Sequence, residues 1–371
     1  MRYPPFCPNP SCCEHHHTEK PEHTWWVRDG RFLSARKGLT QRYRCRSCGQ
    51  RFSEVTFSLD YYSKKRVSLQ RLRSLLTNGS SVRAAARQLR VSTSAISRRI
   101  MILARQSLAA HAELAESIVP REELVADGFQ SFWVSQYHPN NFNFLAGADS
   151  QYLFAMTQAT LRRSGSMTSR QKLKRSLIER SDPTDPSELS REFTRLLGSA
   201  EQLWSRAASF RRVLRTDKHE RYPECLASLG TTGIRHIRVS SRLPRTPGNP
   251  LFAVNYLDRE VRKDLAEHHR ETVCFARSAV LSTARMWVYM VEHNCNKPYR
   301  IDPKSGLSHA EVAGVAPDLL RRVRRRMLTR RAFLTRTKLD HGQRMVWMGM
   351  LHTPERENRS NRRLTPAYSY A

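Results

Sequence analysis

Asp127, Asp217 and Asp258 are the acids whose settings point to chemistry, in a chain with 64 Lys and Arg against 33 Asp and Glu. Asp127 closes the apolar run Glu-Leu-Val-Ala at 123–126, and Asp217 closes Arg-Val-Leu-Arg-Thr at 212–216. Asp258 lies in Asn-Tyr-Leu-Asp-Arg-Glu-Val-Arg at 255–262, whose spacing reads as a helix. Carboxylates drawn from separate segments suit a magnesium site for phosphodiester chemistry, because hard oxygen ligands hold the ion and the ion holds phosphate. Asp149, in Ala148-Asp149-Ser150, is accounted for by a hairpin turn.

A second set of ligating residues is Cys7, Cys12, Cys45 and Cys48, two pairs near the N-terminus. Four thiolates fit a closed tetrahedral zinc site, which a short segment with little core needs in order to fold. The insert between the pairs is long, so residues 14–44 should include an excursion of their own. Cys13 is an alternative to Cys12, and His15, His16 and His17 are alternative ligands; the histidine run is read as a solvated loop. Cys225, Cys274 and Cys295 are read as ordinary buried thiols.

The net charge of +31 favours a polyanionic partner, nucleic acid before an anionic membrane surface. No apolar run approaches the roughly 18 residues of a spanning helix, and the N-terminus lacks the apolar stretch of a signal peptide. The expectation is a soluble, cytoplasmic, nucleoid-associated protein without a membrane partner. At 371 residues, two or three domains with proper cores are expected.

The positioning elements follow from periodicity. Residues 66–106 read as a helix-turn-helix: Leu69, Leu72, Leu75 and Leu76 form one stripe, Val82, Ala85, Ala86 and Leu89 a second, and Ile96, Ile100 and Leu103 a third. Ser80 or Ser81 and Ser92 or Thr93 serve as helix caps. Thr93, Ser94, Ser97, Arg98 and Arg99 are expected on the exposed face of the third helix, where they reach bases or phosphates. From about 122, strands are expected at 124–127, 143–148 and 152–159, then a mobile loop over 160–185 and a helix over 186–208. A strand at 212–217, a helix at 222–229, a strand at 234–239 and helices at 252–270 and 279–295 complete the order. Residues 321–338 hold nine Arg or Lys and no acid, reading either as a phosphate-gripping helix or as a solvated face with a core contact. Residues 354–371 read as disordered.

On these residues the chain resembles bacterial insertion-sequence transposases that join a zinc ribbon, a helix-turn-helix and a DDE catalytic domain. The likeness spans roughly residues 5–300. It is carried by Tyr-Arg-Cys-Arg-Ser-Cys-Gly-Gln-Arg-Phe-Ser at 43–53, Asp-Lys-His-Glu-Arg-Tyr at 217–222, and Asn255 to Ser278. The element order is that of the ribonuclease-H-like fold, in which acids from the first strand, the fourth strand and a late helix converge. The resemblance implies an α/β multidomain chain: zinc ribbon 1–58, helix-turn-helix 66–116, ribonuclease-H-like domain 120–300 and basic C-terminal extension 301–371.

It also implies Asp127, Asp217 and Asp258 as catalytic ligands of two Mg²⁺ (or Mn²⁺) ions, with one structural Zn²⁺ on the cysteines. The family usually has Glu at the third position. Glu260 is therefore the runner-up to Asp258, although two residues along a helix turn it about 200° away. His219 is read as a ligand-orienting or phosphate-contacting group, or as a plain loop histidine. The implied partners are the element's terminal repeats, target DNA and further copies of the chain in a dimer or larger synaptic assembly. A non-catalytic repressor and a structure-specific nuclease are the alternative functions.

Overall fold

The computed structural model describes residues 4–16, 25–34, 37–63, 65–207, 210–230, 233–299, 306–355 and 364. It is an α/β protein built around a mixed sheet. The expectation of disorder over 354–371 falls almost wholly outside the described residues.

At the N-terminus a short helix α1 (Cys13–His16) precedes a three-stranded antiparallel sheet of β1 (Trp26–Ser34), β2 (Gly38–Cys45) and β3 (Arg51–Ser53). β1 and β2 form a hairpin in the long insert between the cysteine pairs, so that excursion exists. Its base is a cluster of Phe6, Trp25, Trp26, Tyr43, Phe52 and Phe57.

Three helices follow: α2 (Leu69–Leu76), α3 (Val82–Gln88) and α4 (Thr93–Ser117). Each is started by a serine whose hydroxyl accepts a backbone N–H: Ser68 from Arg71, Ser81 from Ala84 and Ser92 from Ala95. Such caps satisfy donors that the first turn leaves orphaned. Leu72, Leu76, Ala85, Ala86, Ile96 and Ile100 pack together as the spacing requires.

The large sheet has the order β6-β5-β4-β7-β8. Its strands are β4 (Leu124–Phe132), β5 (Pro139–Gly147), β6 (Leu153–Thr160), β7 (Val213–Asp217) and β8 (Arg235–Val239). The first three form an antiparallel meander, while β7 runs parallel to β4 and β8 parallel to β7. The β5–β6 turn is held by Glu122, whose carboxylate accepts the Asp149 and Ser150 backbone N–H groups (2.8 Å each) and the Ser150 hydroxyl. Asp149 is a turn residue, as expected.

Between β6 and β7 lie α5 (Ser169–Ser181) and α6 (Glu188–Ser205). The mobile loop expected over 160–185 is thus corrected. Thr168 and Gln171 form a reciprocal cap, and Glu179 pairs with Arg162 and Arg175. Local bonds hold α5 without core burial, which a search for apolar periodicity overlooks. α7 (Arg221–Ser228) links β7 to β8.

α8 (Phe252–Asp264) and α9 (Ala279–Cys295) cover one face of the sheet. Val254, Leu257 and Val261 share a core with Val125, Phe129 and Phe142 of the strands. α6 covers the other face through Phe193, Leu196, Leu197 and Trp204, packed with Leu124, Ala126 and Leu214.

The helix-turn-helix segment and the α/β segment share core residues through α4. α4 places Ile96 and Ile100 with Val280, Ala284 and Val288 of α9, then Leu108 and Leu114 in the two cores flanking the sheet. Arg73 pairs with Glu292, and the Gly79 N–H donates to the Asp264 carbonyl (2.7 Å). The described part of the C-terminal segment packs into the cores flanking the sheet. It contains α10 (His309–Val312), α11 (Pro317–Thr329) and α12 (His341–Met348). α11 buries Leu320, Val323 and Met327 and leaves Arg321, Arg322, Arg325 and Arg326 outside. The core contact expected for this basic stretch is present on one face, with a cationic surface on the other.

Candidate functional site

The register of the central strands decides where two of the acids stand. Leu124 pairs with Leu214 and Val125 with Arg215 on parallel β4 and β7. Continuing that offset brings Asp127 level with Asp217, at the end of β7. Residues level with one another on neighbouring strands point to the same face. Asp127 faces α8, as do Val125 and Phe129 on its strand. Asp258 comes from α8, one position beyond Leu257, which anchors the helix in the core.

The three carboxylates line one open cavity of about 720 Å³, together with Gln130, Asn255, Tyr256 and the cationic side chains Arg245, Arg259, Arg262, Lys263 and Arg270. Sequence reasoning named the acids but not the arginine wall.

Each acid has a distinct environment. Asp127 accepts the Gly128 N–H at Oδ1 (2.7 Å). Burial pushes its carboxyl up to about 6, Asp217 adds to the rise, and the Gly128 N–H and Arg245 oppose it. Asp217 accepts the His219 N–H at Oδ1 (2.9 Å). Asp258 is held well above the carboxylate range by burial and by Asp127, with Arg262 and Arg245 opposing. Although Asp258 as a residue is only half-buried, its Oδ1 is wholly shielded and has no hydrogen-bond partner. A shielded oxygen without a donor costs free energy, and a cation would satisfy it.

Gly128, beside Asp127, permits close packing: a Cβ there would come within 2.5 Å of Asn141 Nδ2. A glycine inside a strand pattern is the sequence sign of such an approach. Arg262 is fixed over the Phe129 ring (4.6 Å), with further contacts to the Gln130 and His268 carbonyls. His268, buried at the end of the turn after α8, bonds the Ser131 hydroxyl through Nδ1 (2.7 Å). That contact ties α8 to β4 and so sets the position of Asp258.

Glu260, the runner-up acid, is turned away from the cavity. Its carboxylate bonds Lys263 Nζ (2.9 Å) and Lys297 Nζ (3.0 Å). Burial raises its pKa, but the two lysines outweigh burial and hold it below the usual value. His219 accepts the Arg221 N–H at Nδ1 (3.3 Å) and leans on Tyr222, serving the loop after β7.

The four named cysteines come together. Cys7 and Cys48 Sγ are 3.6 Å apart, Cys12 and Cys45 Sγ 3.7 Å, and all four sulfurs lie within 4.8 Å of one another. Sulfurs on a tetrahedral zinc at about 2.3 Å stand about 3.8 Å apart, so this cluster can hold a structural zinc. Among the described residues it is the one group of three or more Cys, His, Asp or Glu that is so close. The aspartates share a cavity without that mutual closeness.

Cys13 is exposed and outside the cluster. His15 is not in a solvated loop. It is buried, donating from Nδ1 to the Cys7 carbonyl (2.7 Å) and accepting the Thr335 hydroxyl at Nε2 (2.7 Å). Phe6 also packs edge-on against Phe333, so the cysteine unit rests on the C-terminal segment. Cys225 and Cys295 are buried thiols as expected, whereas Cys274 is exposed.

On α4, Ser94 and Arg98 are exposed, and Ser97 is half-buried with its hydroxyl donating to the Thr93 carbonyl (3.0 Å). Arg99 is a correction. It is 3% exposed, paired with Asp60 (2.7 Å) and bonded to the Leu59 and Lys65 carbonyls. It fastens the segment before α2 to α4 and offers nothing to a ligand.

No protein-family model matches the chain, and no curated protein matches it.

Proposed function

We propose that the chain is a DDE transposase, a metal-dependent polynucleotidyl transferase acting on the ends of its own DNA element. The observation that carries this reading is the shared cavity of Asp127, Asp217 and Asp258, with a shielded, partnerless Asp258 oxygen inside a cationic rim. The strand order also supports a ribonuclease-H-like domain: a meander, then parallel strands beside its first member. That fold draws acids from the first strand, the fourth strand and a late helix.

Asp127, Asp217 and Asp258 are the residues that would hold Mg²⁺ or Mn²⁺. Two such ions supply charge stabilisation at the attacking and leaving oxygens of an in-line displacement. Arg245 and Arg262 meet the non-bridging phosphate oxygens and balance the carboxylates. In the first step water attacks phosphorus at the element's end; the 3′ oxygen leaves as a hydroxyl and the phosphate stays on the neighbouring strand. That 3′ hydroxyl then attacks a target phosphodiester in the same pocket, joining the element's end to target DNA and releasing a target 3′ hydroxyl. Positioning and charge carry most of the rate in phosphoryl transfer, which suits a pocket of acids and arginines.

Ser94 and Arg98, at the start of α4, are the groups for reading the terminal repeats. The Cys7, Cys12, Cys45 and Cys48 unit, with zinc, would brace the N-terminal sheet. Strand transfer joins two ends, so we include a dimer or larger assembly in the proposal.

Incubation with Mg²⁺ and end-labelled element DNA tests the reading. Joined products support a transposase, cleavage without joining a nuclease of the same fold, and retention without either a repressor.

A further inference from the structure

The distal half of the β1–β2 hairpin carries large, exposed apolar side chains on both faces, with the Arg42 guanidinium over the Phe32 ring (5.9 Å). Leu33 is 81% exposed, Leu39 63% and Phe32 38%. Leu33 and Leu39 face each other across the strands near the tip, and Phe32 opposes Thr40. Nine- and eight-residue strands give an arm about 30 Å long. Apolar side chains gathered at an exposed tip indicate a partner.

The charge around them says which partner. Residues 26–46 contain seven Lys or Arg and one acid, Asp29, and Asp29 is paired with Arg51 (3.0 Å). Arg28 and Arg31 lie on one face of the arm and Arg44 on the other, all exposed. Two copies of so basic an arm would repel each other tip to tip. A phosphate backbone on both sides of an apolar wedge fits them.

We propose that this hairpin is a DNA-kinking arm. It enters the minor groove, Leu33 and Leu39 lodge between adjacent base steps, and Arg28, Arg31 and Arg44 hold the flanking phosphates. Apolar wedges with basic flanks bend duplexes in this way, trading lost stacking for greater contact. The arm then recognises DNA by deformability, separately from readout by α4. This inference rests on DNA being the partner, but not on strand transfer.

The test uses the full zinc-loaded chain in Mg²⁺-free buffer. The probes are duplexes carrying a fluorescence-transfer pair at the ends and 2-aminopurine at scanned internal positions. Wild-type protein should shorten the end-to-end distance, brighten 2-aminopurine at one step, and bind a nicked duplex about 10-fold more tightly than an intact one, within the range of DNA bending costs. Leu33→Ser/Leu39→Ser should abolish all three effects while keeping most of the affinity for intact duplex. Arg31→Gln/Arg44→Gln should lower the salt slope of binding by roughly 2.

Kinking that survives loss of both leucines overturns the proposal. So does a wild-type dimer that the leucine variant dissociates without changing the bend, because the tips would then cover a second copy. Binding without kinking sinks only this inference. Kinking without later joining sinks only the transposase reading.

Discussion

Asp127 and Asp217 stand level on adjacent parallel strands, each two residues beyond the last paired residues, Val125 and Arg215. Backbone pairing alone therefore sets one edge of the cavity, while Asp258 depends on how α8 lies on the sheet. The two kinds of placement fail differently under mutation. Asp127→Asn and Asp217→Asn should fold normally and lose strand transfer by about 10³-fold, the effect of several kcal/mol of transition-state stabilisation. Asp258→Asn should match them. Glu260→Gln should retain the rate and cost roughly 1–2 kcal/mol of stability through the Lys263 and Lys297 contacts, a small figure because Lys263 is solvent-screened. Rate and urea midpoint measured on all four variants separate these outcomes; a Glu260 variant as inactive as the aspartate variants contradicts the assignment.

Burial holds the Asp127 carboxyl up at about 6, against an ordinary 3.8. Between those values the folded chain binds more proton than the unfolded one, so stability falls as pH rises through that window, and the full penalty remains above it. The cost is at most about 3 kcal/mol. Asp127→Asn should therefore melt above wild type at pH 8 and approach it near pH 4. Added Mg²⁺ should recover wild-type stability at pH 8 and do less for the variant. Melting temperatures that do not converge at low pH contradict this.

Arg98 and Arg99 are neighbours with opposite fates. Arg98→Ala should weaken binding to terminal DNA without changing stability. Arg99→Ala should cost about 2–3 kcal/mol, because the Asp60 carboxylate and two carbonyls lose a charged donor. Paired binding and denaturation curves decide it, and equal stability of the two variants would count against the buried role.

Removing zinc should loosen more than the cysteine unit. His15 bonds Thr335, and Phe6 packs on Phe333, so chelation should speed hydrogen exchange at 330–337 as well as at 4–16. Exchange confined to the N-terminal segment contradicts the coupling.

Gly128→Ala forces a Cβ against the Asn141 amide at 2.5 Å. A shift of β4 there displaces Asp127, and overpacking costs about 1–3 kcal/mol. Asn141→Ala on the same background should restore both stability and rate; no rescue would mean the contact is not the cause.

How much of this was legible follows from what each segment uses to hold itself. Strands β4 to β8 and helices α6 to α9 bury apolar stripes, and their order could be read from periodicity. The serine caps at 81 and 92 and the closed cysteine set were likewise local in the sequence, whereas the Ser68 cap was not anticipated. α5 was not, because capping bonds and ion pairs rather than an apolar stripe hold it. Arg99 reads as a surface residue from type alone; its burial comes from Asp60 and two carbonyls on a segment about 40 positions earlier. Glu122, His268 and the arginine wall depend on tertiary neighbours that spacing does not encode. α4 contributes to three cores, which a helix stripe in the sequence does not reveal.

Anomalous diffraction from crystals soaked in Mn²⁺ bears most directly on the shared-carboxylate site. We expect density bounded by the carboxylates of Asp127, Asp217 and Asp258, lost in crystals of Asp258→Asn. Manganese bound elsewhere with that cavity empty would contradict it.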